Sequence, residues 1–484
     1  MRQLSGLDTM FLNLETNAVP MHVGGLAIVD PADAPKDFGF EAVRRLIESR
    51  LHLLPMFRRR VITSPLNLDL PYWIEDPEFD IEHHVRHRAL PRPGNDRQLA
   101  DFLCDVMSTR LDRSMPLWRS YYVEGLSGGR VALLTKVHHA CIDGVSGAEL
   151  LSVLLDLTAE PRAVPPPEQP WEPEPIPSPI QLAANTAKNL ATRPREAWRL
   201  LKETGPILFS AGRAALAQRR ARDEVPADVA EAPEDRSVGA APRMRFNTTI
   251  TARRSFAFRS LPLADIKLIK NAFGTSVNDV VLGLCGEALR RYLDGKHELP
   301  DKSLVAAVPV SVRTAEEKGT HGNKITMART ALHTEIDDPV ERLQAISKRM
   351  DRVKKSFKAT PARRMMDWIN VPAPGLLAQA ARLYENFSIQ DYVYPPYNLV
   401  ISNVPGPPQP LYLAGARVLA NYPVSIPYHG LAFNITVMSY IDSLDFGLTA
   451  HRTTVPDIDA LMDLVVEALA TLKQRAEQVL RKAG

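Results

Sequence analysis

The chain has few cysteines and no long apolar run, and each scarcity excludes a class of protein. Its three cysteines (Cys104, Cys141 and Cys285) stand far apart among 484 residues, and no CxxC pair occurs. This excludes a disulfide-stapled secreted scaffold and favours a reduced, cytosolic compartment. No window approaches the roughly 18 consecutive apolar residues of a membrane span, and the N-terminus lacks the apolar region of a signal peptide.

Neither positive nor negative charge is in large excess. Lysine and arginine total 59 against 56 acidic residues, which gives a net charge of +3. Nucleic acid is not expected as the main partner, because that function needs a strongly clustered basic face. A hydrophobic content of 45% is ordinary for a globular protein. A chain of this length is too long for one ordinary core, so two domains are expected.

The distribution of proline divides the chain. Nine prolines lie between positions 161 and 179, and so proline-rich a segment cannot continue a packed domain. We therefore predict a first lobe over 1–160, a linker with a basic helical segment over 161–242, and a second lobe over 243–484. Helical and strand patterns alternate in both lobes, which predicts a mixed α/β (α+β) fold.

Several elements of the two lobes follow from local patterns. Ser5 to Asp8 resembles a capping box that opens a helix. Val131 to Val137 is apolar on both faces apart from Lys136, as in a central buried strand. An apolar helix is expected over 146–157 and a long helix over 276–293. Further predicted elements are strands over 22–29, 304–312, 399–403, 433–440 and 444–448, and helices over 40–53, 338–355 and 457–480.

An imidazole pair, His138 and His139, ends the central strand and is followed by Asp143 and Gly144. A core position is one interpretation of a histidine near a strand end. A metal site is a second, because His139 and Asp143 are four residues apart, but the glycine indicates a turn and no third ligand is near. General base catalysis is the third, since a neutral imidazole at a strand end has a pKa close to working pH.

Other histidines and one serine could suggest different chemistry. His83, His84 and His87 lie in the strand-like stretch FDIEHHVRH without acidic or cysteine partners, so we interpret them as structural. Ser146 lacks the GxSxG elbow of a serine hydrolase, and it is not expected to be a nucleophile.

The whole chain resembles the bacterial wax ester synthase/acyl-CoA:diacylglycerol acyltransferase family, of the actinobacterial triacylglycerol synthase type. His138 to Gly144 matches the family motif HHxxxDG, with Cys141 where a larger aliphatic residue is more usual. Further matching stretches span most of the chain: Leu4–Asp8 with Phe11, Pro20–Gly24, Pro116–Trp118, Asn278–Leu282, Val308–Arg313, Gly322–Asn323 and Ser402–Gly406.

The resemblance implies two chloramphenicol-acetyltransferase-like lobes with a tunnel between them. It implies that His139 is the general base and that His138 supports its placement. Asp143 is implied to pair with Arg313 of the second lobe, which is a structural role, and Gly144 to allow the turn.

Three further residues have both a structural and a functional interpretation. Asn278 and Asp279 begin a long helix, where they would satisfy free N–H groups or position substrate. Trp118 belongs to a packed turn or contacts substrate.

The predicted function is transfer of a long acyl chain from acyl-CoA, a co-substrate, to diacylglycerol, with no cofactor and no metal. Alternatives are acylation of fatty alcohols to wax esters, condensation with a carrier-bound acyl group, and a catalytically weak lipid-droplet-binding homologue. The basic segment 181–222 is either a solvated bridge or a peripheral contact with membrane or lipid inclusions. The expected location is accordingly cytoplasmic with peripheral attachment to the inner membrane or to inclusions, and the sequence leaves the oligomeric state open.

Overall fold

The computed structural model describes residues 1–141, 147–167, 171–192, 241–311, 325–358 and 394–483, together with residues 379, 383, 387, 388 and 391. Its strands, in chain order, are β1 (Arg2–Gln3), β2 (His22–Asp30), β3 (Arg59–Ile62), β4 (Tyr72–Glu75), β5 (Val85–Ala89), β6 (Trp118–Glu124), β7 (Val131–His138), β8 (Arg254–Pro262), β9 (Val305–Ser311), β10 (Ile325–Ala331), β11 (Leu399–Val404), β12 (Tyr412–Leu413), β13 (Ala416–Val424), β14 (Phe433–Tyr440) and β15 (Ser443–His451).

Helices cover the strands of both lobes. They are α1 (Gly6–Leu14), α2 (Phe40–Arg50), α3 (Ile81–His84), α4 (Asp96–Ser108), α5 (Gly147–Leu154), α6 (179–192), α7 (Leu263–Phe273), α8 (Val277–Asp294), α9 (Pro339–Lys358) and α10 (Ile458–Ala483). Short 3-10 turns lie between several of them. No helix in the described part of the chain is long and apolar enough to cross a membrane.

The first lobe is built on a six-stranded sheet of order β12-β13-β2-β7-β6-β5. Two apolar clusters contain side chains from its two faces, one with Trp118, Val137 and Leu154 and the other with Leu134 and Leu103. Because both faces are covered, β7 at the centre has no exposed residue.

The second lobe has its own six-stranded sheet, of order β10-β9-β11-β14-β15-β8. The helices α7, α8, α9 and α10 pack together, and their apolar side chains form one cluster with those of the sheet. Ser276 caps α8, and its side chain and that of Asp279 exchange hydrogen bonds with each other's backbone N–H.

Strands β12 and β13 come from the C-terminal part of the chain but pair within the sheet of the first lobe. Strand β13 runs antiparallel to β2, with Val418 opposite Val29. The buried carboxylate of Asp445, in β15 of the second lobe, accepts the backbone N–H of Asn421 in β13 at 2.7 Å. The two lobes are therefore joined through β13 as well as through the chain between them.

The proline-rich segment is bound to the first lobe over the part described. Trp171 donates its indole N–H to Glu75 at 3.0 Å and lies under the guanidinium of Arg58. Asn189 of α6 donates to Asp69 at 2.6 Å. Glu75 belongs to β4 and Asp69 lies just before it, so these contacts attach the segment beside the small sheet β1-β4-β3.

The elements predicted from local patterns are present, with small shifts at their ends. Two predictions for the histidines after Phe79 are wrong. The stretch containing His83 and His84 was expected to be a strand, but Ile81–His84 is a helical turn and β5 begins at Val85. The carboxylate of Asp80 accepts the N–H of Glu82 and starts this turn. Acidic partners were not expected, but His83 Nδ1 lies 3.1 Å from Asp80 Oδ2 and His87 Nε2 lies 3.1 Å from Glu124 Oε2.

Candidate active site

The histidine pair lies where β7 ends. Residues His139–Cys141 follow it as one 3-10 turn. The N–H of His138 donates to Leu117 O at 2.9 Å, and that of His139 donates to Met21 O at 2.8 Å. The backbone of the pair is therefore held on both sides, by the segments that precede β6 and β2.

His139 has a partly exposed side chain, and one face of its imidazole is covered by an aromatic ring. Phe11 of α1 stacks on it with ring centroids 3.9 Å apart and 27° between the ring planes. The ring of His139 is therefore accessible, while α1 restricts its orientation.

His138 is fully buried. Burial holds the pKa of its imidazole well below the usual value, so the ring is neutral. Its Nδ1 accepts the backbone N–H of Ala140 at 3.1 Å. The ring thus braces the turn from inside, which agrees with a supporting role.

A carboxylate that the sequence analysis did not select, Glu15, lies behind the pair. Its Oε1 is 3.4 Å from His22 Nε2 and 3.8 Å from His138 Nε2, and its Oε2 is 2.7 Å from the Arg113 guanidinium. Burial alone would raise the pKa of this carboxyl, but the neighbouring His22, His138 and Arg113 side chains hold it at about 2. Glu15 is therefore ionised at any working pH.

Two buried bases lie close to Glu15. Burial lowers the pKa of His22 to about 4, despite the opposing effect of Glu15. Burial and the Arg119 guanidinium lower the pKa of Lys136 to about 7. The Lys136 ammonium donates to Val106 O and Thr109 O, the last carbonyls of α4, where a cation is favoured by the helix dipole.

Glu15 could have been found from one local irregularity. Glu15 is the residue at the C-terminal end of α1, where the helix dipole disfavours an acidic side chain. Such a broken local rule is typical of functional sites. His22 lay inside a matching family stretch, but nothing in the sequence indicated its partner.

Trp118 is placed in the core of the first lobe. Its indole N–H donates to Phe57 O at 2.7 Å, and the ring stacks on Phe57 and on His84. The side chain is 1% exposed. Within the Pro116–Trp118 stretch, the backbone carbonyl of Leu117 accepts the N–H of His138.

Asn278 and Asp279 lie in the first turn of α8. The Asp279 carboxylate accepts the N–H of Ser276 at 2.9 Å and the hydroxyl of Ser347 at 3.0 Å, both within the second lobe. These contacts agree with the helix-capping interpretation of Asp279. Asn278 is partly buried beside it, and its role in positioning substrate stays a prediction.

Three predicted site residues lie outside the described residues: Asp143, Gly144 and Arg313. Their predicted pairing and turn geometry stay predictions. Within the described ranges, no group of three His, Cys, Asp or Glu side chains is arranged to hold a metal ion. The site as described offers one accessible imidazole on a fixed turn, which can accept a proton from a bound hydroxyl.

A cavity of about 110 Å³ lies beside β7 and α5. It is lined by Gly25 of β2, Val137 of β7, Leu154 of α5 and Pro423 of β13, and by Met438 of β14 in the second lobe. The lining is mostly apolar. Val137, which lines this space, directly precedes the histidine pair in the chain.

Comparison with known families agrees with this geometry. Residues 4–281 match the model of the wax ester synthase/diacylglycerol acyltransferase catalytic domain, and residues 321–473 match that of the C-terminal domain. A putative diacylglycerol O-acyltransferase of Mycobacterium tuberculosis is 35% identical over 97% of this chain and 99% of its own length. The O-acyltransferase WSD of Acinetobacter baylyi is 34% identical, over 97% and 96%.

Solved structures show the same architecture. The wax ester synthase/diacylglycerol acyltransferase from Marinobacter aquaeolei aligns with a TM-score of 0.69 at 32% identity, over 99% of this chain and all of that one. The first condensation domain of the calcium-dependent antibiotic synthetase aligns with a TM-score of 0.54 at 15% identity, over 98% and 96%. At that identity the second likeness concerns the fold alone.

Proposed function

Because this chain belongs to the wax ester synthase/diacylglycerol acyltransferase family, we propose that it transfers a long acyl chain from acyl-CoA to diacylglycerol. The product is triacylglycerol, and His139 is the general base. The observation that carries the proposal is the accessible imidazole of His139, fixed by its backbone bond to Met21 and by the Phe11 ring. The names of the relatives support the substrate class.

The reaction needs one base and no covalent enzyme intermediate. His139 takes the proton of the acceptor hydroxyl while its oxygen attacks the thioester carbonyl. The tetrahedral intermediate collapses, the carbon–sulfur bond breaks, and the CoA thiolate takes the proton back from the imidazolium. A positioned base of this kind contributes roughly 10²- to 10⁴-fold.

The proposed reaction uses no metal and no bound cofactor, because proton transfer and oxyanion stabilisation suffice for acyl transfer from a thioester. Acyl-CoA is a co-substrate. Turnover should therefore be unchanged after incubation with a metal chelator followed by gel filtration. Activity that is lost on chelation and restored by a divalent ion would contradict this part of the proposal.

A substrate panel tests the function. Purified protein is given palmitoyl-CoA with diacylglycerol, hexadecanol or a long-chain amine, and separately palmitoyl-acyl-carrier protein with the same acceptors. We expect CoA thiol release that depends on diacylglycerol, with triacylglycerol as the product. Folded protein that releases no CoA with any lipid alcohol would overturn the proposal.

His139→Ala identifies the base. Loss of at least about two orders of magnitude in turnover is expected, in line with the usual contribution of a general base. His297→Ala, which changes an exposed histidine after α8, is the matched control and should keep full activity. Equal activity of the two variants would refute the assignment of His139.

Wax ester formation is the second candidate, because the chain is 32% identical to the Marinobacter wax ester synthase/diacylglycerol acyltransferase over nearly its whole length. The same base serves a fatty alcohol and a diacylglycerol. The panel separates them: a kcat/KM for hexadecanol well above that for diacylglycerol would make wax ester synthesis the main activity.

We further propose peripheral contact with the inner membrane or with lipid inclusions, since the acceptor and the product are water-insoluble. The basic segment 181–222 is the candidate, of which 181–192 belong to α6 and are bound to the first lobe. A basic amphipathic contact binds anionic lipid and weakens with salt. The remainder of the segment lies outside the described residues.

Co-sedimentation with anionic liposomes tests the lipid contact. Replacing Arg219, Arg220 and Arg222 by Ser, or deleting residues 193–222, should move the protein to the supernatant while activity on detergent-dispersed diacylglycerol persists. This deletion leaves the Asn189 contact with Asp69 intact. Unchanged sedimentation of both variants would show that the segment is only a linker.

A further inference from the structure

Glu15 is a buried charge that the proposed reaction does not use. Its side chain is 1% exposed, between the imidazoles of His22 and His138. A buried carboxylate is expensive unless it is paired, and the Arg113 guanidinium provides that pairing with contacts of 2.7 and 2.9 Å to Oε2. The Oε1 atom remains directed at the two histidines.

The tautomer of His138 follows from its hydrogen bond. Nδ1 accepts the N–H of Ala140, and a neutral imidazole carries its one proton on the other nitrogen. Nε2 is therefore the protonated atom, and it faces Glu15 Oε1 at 3.8 Å. Neither atom has a hydrogen-bond partner among the described residues.

We propose that Glu15 is a positioning residue for the reaction: its carboxylate holds the Nε2–H tautomer of His138, which braces the turn that carries His139. This inference rests on the proposed function, in which His139 is the base. Arg113 also donates to Leu12 O, near the end of α1. The same helix that presents Glu15 to His138 thus presents Phe11 to His139.

The groups around Glu15 give the proposal an electrostatic consequence. They are His22 of β2, Lys136 and His138 of β7, and Arg110 and Arg113 from the segment after α4. His139 lies next along the chain from His138. In a site of low dielectric constant, the Glu15 charge favours protonation of the nearby imidazoles, and the arginine charges oppose it.

Glu15→Gln is a usable variant because the charges it leaves behind are hydrated. The side chains of Arg110 and Arg113 are 39% and 34% exposed, so neither becomes a buried unpaired charge. The amide keeps the shape of the carboxylate. Melting temperature is measured to confirm that each variant is folded.

Kinetics of Glu15→Gln and Arg113→Gln provide the first test. For Glu15→Gln we expect kcat to fall roughly 10- to 100-fold with KM values within about twofold, because a reacting group misplaced by about 1 Å loses on the order of 100-fold. Loss of the negative charge should move the acid limb of the pH–rate profile to lower pH. Loss of the positive charge in Arg113→Gln should move it to higher pH.

Two variants calibrate this test. Glu15→Asp keeps the charge and should recover part of kcat, whereas Glu82→Gln changes an exposed glutamate and should match the parent. A Glu15→Gln enzyme that keeps the parental kcat overturns the proposal. So do acid limbs that move in the same direction, or not at all, in the two charge variants.

Nitrogen-15 NMR of the imidazoles provides a second test, independent of turnover. His138 is assigned by the resonance that disappears in His138→Gln, and the parent protein should show a protonated Nε2 and an unprotonated Nδ1 at neutral pH. The opposite tautomer would overturn the proposal even in an active enzyme. If the tautomer is as expected but no substrate pair is turned over, the proposed function fails and the placement of Glu15 stands.

Discussion

Phe11 stacks on His139 with ring centroids 3.9 Å apart, so the first helix of the chain covers one face of the candidate base. Phe11 also packs against the apolar clusters of both lobes. A side chain that packs against two clusters moves little. The imidazole of His139 that stacks on Phe11 is therefore restricted in its orientation. Orientation of this kind is what makes a base effective.

Replacing Phe11 should therefore reduce turnover while the protein remains folded. For Phe11→Ala we expect kcat to fall by roughly tenfold or more, since misplacement of a reacting group by about 1 Å costs on the order of 100-fold. Phe11→Leu keeps an apolar surface without the ring, so its kcat should lie between those of the parent protein and Phe11→Ala. The measurement is kcat for CoA release under saturating substrates.

Leu14→Ala is the control for Phe11, because it truncates a half-exposed side chain on the same helix. It should leave kcat unchanged. If Phe11→Ala and Leu14→Ala lose the same small amount, the stack does not orient His139.

A buried ion pair anchors the helix that follows the histidine turn. Arg50 of α2 makes two hydrogen bonds to Asp156, at 2.7 and 2.8 Å, and donates to Val153 O and Leu154 O at the end of α5. Asp156→Asn leaves the Arg50 charge buried without its counter-charge. We expect the free energy of unfolding to fall by about 3–5 kcal/mol, as for other broken buried pairs. The measurement is the melting temperature, which should be lower.

The double variant Arg50→Met/Asp156→Leu separates charge from packing. Apolar replacements of similar volume are often neutral or stabilising, so the double variant should melt well above Asp156→Asn. A double variant as unstable as the single one would show that the hydrogen bonds to the end of α5, and not the buried charge, dominate.

Local sequence patterns predicted the helices and strands whose formation depends on residues close together in the chain. The apolar run of β7 predicted its burial on both faces, and the long helix expected over 276–293 is α8, which Ser276 caps. The turn at His83 and His84 was missed because Phe79, Ile81 and Val85 alternate as in a strand, and four residues are too few for a helical period. Asp80 was the local signal that favoured the turn.

Long-range pairing was not available from the sequence pattern. Nothing local indicates that Val418 lies opposite Val29. The strand β13 was not predicted, and its residues fell within the range 243–484 that was assigned to the second lobe by position in the chain. The surroundings of Glu15 are long-range in the same sense, because its partners lie at positions 22, 113 and 138. The family resemblance identified His139 and His138, but not the carboxylate behind them.

The cavity beside β7 leads to a prediction about where the acyl chain binds. A Cβ added at Gly25 approaches one described atom closely, Asn421 Oδ1 at 3.2 Å, and otherwise enters the cavity. If part of the acyl chain occupies this space, Gly25→Ala should lower kcat/KM for the longest acyl-CoA and spare shorter ones. The measurement is a chain-length series with one acceptor.

Gly39→Ala is the matched control for Gly25, since a Cβ there meets no atom within 4 Å. It should leave the chain-length series unchanged. A uniform loss across all chain lengths in Gly25→Ala would show that the cavity does not hold the acyl chain.

His84 makes stability depend on pH. Burial lowers the pKa of this imidazole to about 4, against an ordinary value of 6.5, and it stacks on Phe79 and Trp118. Between these two pKa values the unfolded chain binds a proton that the folded chain does not. His84 therefore costs the folded state nothing above pH 6.5. The free energy of unfolding should fall by up to about 3 kcal/mol as the pH falls from 6.5 to 4.

Melting temperature at pH 7 and pH 5 measures this effect. The parent protein should lose stability over that range, and His84→Asn, whose amide can still donate to Trp118 O in place of Nδ1, should lose less. His83→Asn changes the exposed neighbour and should follow the parent. If His84→Asn and His83→Asn have the same pH dependence, another buried base, such as His22 with its pKa of about 4, is responsible for the loss of stability at low pH.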